Sequence, residues 1–326
     1  MRPVILSHRQ AIKQLYKQDM LSSIVEACHT HPVSREGDYA FSAFQRDVLR
    51  RIFPGFTYQF CVTSTVMTAQ DLNPESVSSV CLDLPDEILL SYMMVAQYDR
   101  ISPIIFANPG RAVSTAQIHS DEERHLHPFF HLHAANFNID RGISIGYNYP
   151  GHHTTFIAFD YLSDAQNETW LHFDFTRLEL ATFPFALAWF ARRGMIDMKE
   201  LEKRFHLIAD LTEHQLGNLR KFINCPDESY EQQAQSLGIK QATLKESLYK
   251  IRDLVTPRFE NENKIKSQQS GRALLRPLEY QYSFLTLLGD GTKPLIGLEE
   301  ERQQAKLDCI ESPPTLDDKS LIQRMN

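Results

Sequence analysis

Apolar positions along this chain recur with two periods, and the period changes several times. From Phe41 to Phe53 (FSAFQRDVLRRIF), Phe41, Phe44, Val48, Leu49 and Ile52 fall at steps of three and four, which predicts an amphipathic helix. After Pro54-Gly55, the aromatic and β-branched run Phe56–Val66 (FTYQFCVTSTV) reads as a strand. Leu84–Tyr98 returns to helical spacing. Gly142–Asn148 and Thr154–Tyr161 read as two strands joined by a turn around Pro150-Gly151, and Thr169–Phe175 as a further strand. Phe183–Arg193 is helical, with Gly194 placed to end it. This mixture predicts an α+β domain of α/β/α sandwich type, an antiparallel sheet flanked by helices, over residues 1–196.

From Met198 to Val255 the spacing is helical only, which predicts an all-α module over 197–256, with a linker helix region near Asp197–Asp210. Thr212 with Gln215, and Ser229 with Gln232, each fit a capping box, in which two side chains satisfy orphan N–H groups at a helix start. Leu216, Leu219 and Ile223 follow the first cap, and Tyr230, Ala234 and Leu237 the second. Gly238 suits the left-handed residue that ends the second helix, and a third helix then turns Leu244, Leu248, Ile251 and Val255 inward. A support helix and a second helix, joined by a short glycine turn, form a helix-turn-helix. Beyond Thr256-Pro257 the chain is polar (FENENKIKSQQSG), carries one apolar island at Leu278–Leu288, and closes with an acidic, proline-containing end. This extension, 257–326, is expected to be partly disordered, with the island free to dock on the body or on a protein partner.

Composition narrows the classes without choosing among them. The 326 residues are 42% hydrophobic and 23% charged, an ordinary balance for a folded soluble chain. A formal charge of −7 means that any contact with DNA must come from a local patch. Five cysteines (Cys28, Cys61, Cys81, Cys225, Cys309) with no CxxC pair suit free thiols in a reducing compartment. The start, MRPVILSHRQAIKQLYKQ, is no signal peptide, and no apolar run reaches membrane-spanning length. A cytoplasmic location is expected, with no membrane partner, cofactor or structural metal.

At Leu211–Val255 the residues become specific. LTEHQLGNLRKFI and YEQQAQSLGIKQATLKESLYKIRDLV resemble the C-terminal domain of LuxR-family quorum-sensing regulators. The family's Leu-Thr falls on Leu211-Thr212, its support-helix alanine and leucine on Ala234 and Leu237, and its Ile, Thr, aliphatic and Lys run on Ile239, Thr243, Leu244 and Lys245. The family's Arg-Glu is here His214-Gln215, its glycine between the first helices is replaced around Cys225-Pro226, its Ser-like start is Lys240, and a frequent histidine is Ser247. FSAFQRDVLRRIFPGFTYQF, LPDEILLSYMMVAQYDRISPIIFANPG and GISIGYNYPGHHTTFIAFDYLS are similar, in order and spacing, to the family's autoinducer-binding domain.

The resemblance implies a DNA-binding transcription regulator that works as a homodimer on double-stranded DNA. Lys240, Gln241, Thr243, Lys245, Tyr249 and Lys250 lie off the apolar stripe of the third helix, so the lysines and Thr243 can hold phosphates while Gln241 or Lys245 reads base edges. The corresponding ligand pocket would involve Phe60, Leu89, Tyr92, Met93, Tyr98, Ser102 and Ser144. Where family members hold the lactone amide with an aspartate, this chain has Ser102; the upstream tryptophan and tyrosine fall near Leu89 and Met93, and a later tryptophan near Gln117. A serine accepts a weaker hydrogen bond than a carboxylate, so ordinary acyl-homoserine lactones are expected to bind poorly. An unidentified small molecule, or no ligand, both remain open. The second reading is a protein of the same ancestry that docks on another regulator without reading DNA.

Other constellations carry less. Gly142-Ile-Ser144-Ile-Gly146 matches G-x-S-x-G, with Asp174 and His206 in hydrolase order, but the chemistry needs a strand–turn–helix and the chain is not expected to be an enzyme. His119, His125, His127, His131 and His133 form a dense cluster that reads as a histidine-rich surface helix. Cys81 and Cys225 show no evident basic partner that would lower a thiol pKa.

Overall fold

In the computed structural model the described residues are 8–53, 58–64, 77–82, 87–137, 139–149, 153–162, 175–255 and 271–310. Three helices open the chain: α1 (His8–Leu15), α2 (Gln18–Thr30) and α3 (Arg35–Ile52). Strands β1 (Tyr58–Ser64) and β2 (Val77–Leu82) follow, then α4 (Glu87–Val95) with a 3-10 turn at Ala96–Tyr98, and α5 (Ile101–Ala107). Next come β3 (Ala112–Ser114), the short helices α6 (Thr115–Ile118), α7 (Asp121–Leu126) and α8 (Pro128–Leu132), and a hairpin of β4 (Ile139–Tyr149) and β5 (His153–Leu162). The helical part holds α9 (Phe175–Arg192), α10 (Met198–Ile208), α11 (Glu213–Asn224), α12 (Tyr230–Ser236) and α13 (Gln241–Val255). A 3-10 turn at Gly271–Leu275, α14 (Arg276–Gln281), a second turn at Ser283–Leu288 and α15 (Leu298–Ile310) complete it.

The five strands form one antiparallel sheet in the order β2-β1-β5-β4-β3. Alternation along β4 divides its residues between two layers. Ile143, Ile145 and Tyr147 join the main core with α9, α2 and α3, whereas Val113 of β3, in register with Ser144, packs with Ile101, Ile104, Ile105 and Ile118. Helices thus cover both faces, as the alternating pattern predicts for an α+β chain. The strand expected at Thr169–Phe175 lies outside the described residues except for Phe175, which begins α9; that helix starts eight residues before the expected Phe183. It contains Pro184, and everything from Leu178 to Arg192 is buried. Gly194, at φ 74°, ends it as its position suggests.

The main core does not stop at residue 196. Leu201, Phe205, Ile208, Leu211, Leu216, Leu219, Phe222, Leu244, Leu248 and Ile251 belong to the same buried cluster as Leu21, Phe41 and Trp189. The apolar island also enters it: Leu275, Leu278, Tyr282, Phe284, Leu285, Leu287 and Leu288 are all buried. Each large apolar side chain removed from water contributes about 1.5–3 kcal/mol before the cost of ordering the chain. Of the two courses left open for the apolar island, docking on the body or on a partner, the first is seen: the Phe284 ring stacks on Phe183 of α9 at 6.2 Å. Among the described residues no helix is long and apolar enough to cross a membrane.

Candidate nucleic-acid interface

Both predicted capping boxes are formed. Thr212 Oγ1 accepts from Gln215 N at 3.2 Å while Gln215 Oε1 accepts from Thr212 N at 2.9 Å; Ser229 and Gln232 repeat this at 3.3 and 2.8 Å. Gly238 takes φ 67°, ending α12 where the turn demands it. Leu216, Leu219, Ala234, Leu244, Leu248 and Ile251 are buried between α11, α12 and α13, and Ile223, Tyr230, Leu237 and Val255 are half-buried around them. The phenol of Tyr230 stacks on Phe222 with ring planes 2° apart, joining α12 to α11.

The six residues expected to face DNA separate into two groups. Lys240, Gln241 and Thr243, at the start of α13, are exposed. Lys240 directly precedes α13, the position at which α11 and α12 carry hydroxyl caps. Lys245 and Tyr249 are half-buried on the other side: the Lys245 ammonium lies 5.2 Å from the centre of the Tyr230 ring, and Arg252 lies 5.0 Å from that of Tyr249. Lys250 is exposed but ion-paired with Glu246 at 2.7 Å, which holds the Glu246 carboxyl below its ordinary range. Among the described lysines of this face, Lys240 is thus the exposed one with neither a ring nor a carboxylate against it.

Two cations of α11 that sequence reasoning passed over are internal. Arg220 stands four residues after Leu216, on the inward stripe, and is 3% exposed. Its Nη1 lies 2.7 Å from Glu179 Oε2, while its Nε donates to Gly289 O at 2.6 Å and its Nη2 to Leu288 O at 2.5 Å. Glu179 Oε1 in turn accepts from Ala112 N at 2.9 Å and Arg111 Nε at 3.3 Å. One carboxylate on α9 thus ties α11, the β3 edge and the C-terminal segment together. Lys221 Nζ bonds Thr292 Oγ1 at 2.9 Å and Asp290 Oδ2 at 3.1 Å, and pairs with Glu228 Oε2 at 3.0 Å.

Cys225 does have a basic neighbour, contrary to expectation, but its thiol is not activated. Burial first, then the hydrogen bond it donates to Asp290 Oδ2 at 3.0 Å, push its pKa up to about 11, outweighing Lys221. Burial alone would raise Asp290, but Cys225, Thr292 and Lys221 together hold its carboxyl below the ordinary range. Cys225, Glu228 and Asp290 converge closely enough to hold a cation. The Lys221 ammonium already fills that role.

In the N-terminal half, the expected pocket residues are only partly brought together. Phe60 is in register with Ala158, and Ala158 with Ser144, across β1, β5 and β4. Leu89 and Met93 fall on α4, and their side chains are outside the described set. Tyr92 and Ser102 both donate to Asp99 Oδ2, at 2.6 and 2.5 Å, while Asp99 Oδ1 accepts from the N–H groups of Ile101 and Ser102. Asp99, unremarked in the sequence, is thus the carboxylate here, spent on capping α5. Tyr98 turns away to meet His127 edge-on at 6.4 Å. Ser144 is mid-strand, and β4 runs on to Tyr149 before the hairpin, so no helix follows it as a nucleophile elbow requires.

The histidines correct a second expectation. His119, His127 and His133 are buried, not on a surface helix, and His131 is exposed. His127 Nε2 meets Asp308 Oδ2 at 3.2 Å and its Nδ1 accepts from Phe129 N at 3.3 Å, which fixes a neutral tautomer with the proton on Nε2. Burial pushes His119 down to about 3 and His133 down to about 4. Pro128 opens α8 at its first position, so His127 caps that helix instead of lying inside it.

No family model and no curated protein matches the chain. Solved structures do align with it, among them the following three. CepR2 from Burkholderia cenocepacia, described as an N-acylhomoserine lactone dependent LuxR family transcription factor, is 16% identical over 54% of this chain and 96% of that one, with a TM-score of 0.36. Escherichia coli SdiA is 13% identical over 83% and 98%, with a TM-score of 0.34. SdiA in complex with octanoyl-rac-glycerol is 14% identical over 72% and 86%, at 0.36. Superpositions this loose carry no argument, so the functional reading stands on the chain's own residues.

Proposed function

We propose that this chain is a DNA-binding transcription regulator of the LuxR type, acting in the cytoplasm as a homodimer, without a catalytic step, and unresponsive to ordinary acyl-homoserine lactones. The observation that carries the reading is the doubly capped helix pair that buries one side of α13 and leaves Lys240, Gln241 and Thr243 open to solvent. Lys240 would hold phosphate and Gln241 a base edge. On the ligand side, Ser102 stands where the resemblance expects an aspartate, and the Asp99 carboxylate beside it already accepts from four donors. A lactone amide would have to displace one of them.

The test is selection of duplexes from a random pool by the full-length protein, followed by titration of the winners. Lys240→Ala is expected to weaken binding and to reduce the slope of log affinity against log salt by about 1. Lys245→Ala and Lys250→Ala are expected to have smaller effects, because one ammonium lies over Tyr230 and the other is paired with Glu246. Failure to recover any duplex, together with a stable complex with a second regulator, would replace this reading by the partner-docking one. Saturable thermal stabilisation by an acyl-homoserine lactone would overturn the ligand part alone.

A further inference from the structure

The C-terminal segment is gripped at two places that differ in kind. The inner grip is the turn at 287–293. Gly110 and Gly289 both adopt left-handed φ (70° and 57°), and their backbones approach so closely that a Cβ on Gly110 would lie 2.0 Å from Leu287 O and one on Gly289 2.6 Å from Pro109 O. Around this contact Arg220 takes the carbonyls of Leu288 and Gly289, and Arg111 those of Asp290 and Lys293, at 2.5 and 2.9 Å. The outer grip is α15. Of its thirteen residues only Ala305 and Asp308 are buried; Ala305 and the half-buried Leu298 pack on Ile101, Ile104, Ile105 and Ile118, and its other contacts are polar. Asp308 accepts from Arg100 Nε and Nη2 at 2.6 and 2.8 Å, and from His127. Asn108 exchanges two hydrogen bonds with the backbone of Ile296, at 2.9 and 2.8 Å, and Arg302 donates to Gln117 O at 2.5 Å.

We propose that residues 283–310 are a strap that sets where the recognition helix stands relative to the sheet, with α15 as its release point. The inference rests on the DNA-binding reading above. The outer grip buries one alanine and part of Leu298, against Phe284, Leu285, Leu287 and Leu288 in the inner one, so it opens at lower cost. The two are joined by only the few residues between Lys293 and Ile296, both of them anchored, so movement of α15 reaches the turn that Arg220 holds. Arg220 lies in α11, against which α13 packs through Leu216, Leu244 and Leu248. The strap leaves Lys240, Gln241 and Thr243 exposed, so its release changes the placement of the face, not access to it. In a two-fold pair reading half-sites about 34 Å apart, placement decides whether both helices engage at once.

Asp308→Asn, and Asp308→Asn with Arg302→Ala, test this in the full chain by hydrogen exchange and DNA titration. A third variant, with a site-specific protease sequence inserted between Lys293 and Pro294, frees α15 after folding should the substitutions prevent it. Amides of α15 are expected to exchange at least about tenfold faster, and those of 283–290 and α11 to accelerate with them. Free exchange of α15 with wild-type protection of 283–290 and α11 would overturn the coupling. On duplexes recovered by the wild type, release should weaken binding to paired half-sites on the order of tenfold and leave a single half-site unchanged. Equal loss on both, or no loss, would overturn the positional role. If the wild type recovers no duplex, the DNA-binding reading fails, and the exchange results still decide whether the strap couples α15 to α11.

Discussion

Arg220→Met is the substitution whose consequence follows most directly from the geometry. Methionine keeps much of the aliphatic stem and leaves little cavity, so the loss is mainly electrostatic. Arg220 and Glu179 are 4% and 2% exposed in their side chains, and removing one partner of so buried a pair costs about 3–5 kcal/mol, because the other charge stays behind in a poor solvent. Arg111 still faces Glu179 and softens the loss, while the carbonyls of Leu288 and Gly289 lose their donors and deepen it. Against a total stability on the order of 5–15 kcal/mol, this is about a fifth or more. Urea unfolding followed by far-UV circular dichroism measures it. Glu179→Leu with Arg220→Met removes both charges and should cost less than the two single changes added, by roughly 2 kcal/mol. A single-variant cost below about 1 kcal/mol at unchanged m-value, or strict additivity in the double variant, would refute the view that this ion pair joins the helical module to the sheet.

The other predictions concern separate parts of the molecule. His119 and His133, held near 3 and 4, bind fewer protons folded than unfolded below their ordinary 6.5. Their contribution to stability is thus complete above about pH 6.5 and falls by about 1.4 kcal/mol per pH unit for each between pH 6.5 and 5. His133→Leu should flatten that slope in denaturation curves at pH 5, 6 and 7, and an unchanged slope would sink the assignment. Burial pushes the Cys28 thiol up to about 12 and Cys225 up to about 11, so native alkylation by iodoacetamide at pH 8 should run at least roughly a hundredfold slower than in the urea-unfolded chain, as read by peptide mass spectrometry. Comparable rates in both states would show the thiols to be exposed. Gly217→Ala, where a Cβ meets nothing within 4 Å in α11, should stabilise by about 0.5–1 kcal/mol, whereas Gly289→Ala should destabilise by more than about 1 kcal/mol; melting temperatures moving in the same direction would contradict the reading of both sites.

What the sequence made legible is mostly local. Thr212 and Ser229 announce helix starts through partners three residues away, and Gly194 and Gly238 announce ends through their freedom at positive φ, so these elements stand where the pattern puts them. The candidate DNA face was visible as residues off an apolar stripe, but not its division between an exposed start and a half-buried side, which depends on Tyr230 in another helix. What escaped depends on distant partners. The histidines read as a surface patch because nothing near them signals Asp308, 181 residues away from His127. The apolar island was plain in the sequence, yet its seat is made by Gly110, Arg111 and Glu179, which no local period connects with residue 289. Arg220 did leave a trace: a charge four residues after Leu216 on an inward stripe calls for a buried partner.

The nested glycines have a consequence for the order in which the protein is made. Synthesis runs toward the C-terminus at about 5–20 residues per second, and domains ordinarily fold as they emerge. Here Gly110, Glu179 and Arg220 wait for a turn centred on residue 289, and Phe183 waits for Phe284. A nascent chain that already includes the complete α13 therefore still shows water the apolar surface that Leu278, Leu285 and Leu288 later cover. Chains that stop short of this turn are left open to proteases and chaperones, while chains that include it close over that surface. The C-terminal segment thus closes over this surface only after α11, α12 and α13 have been translated.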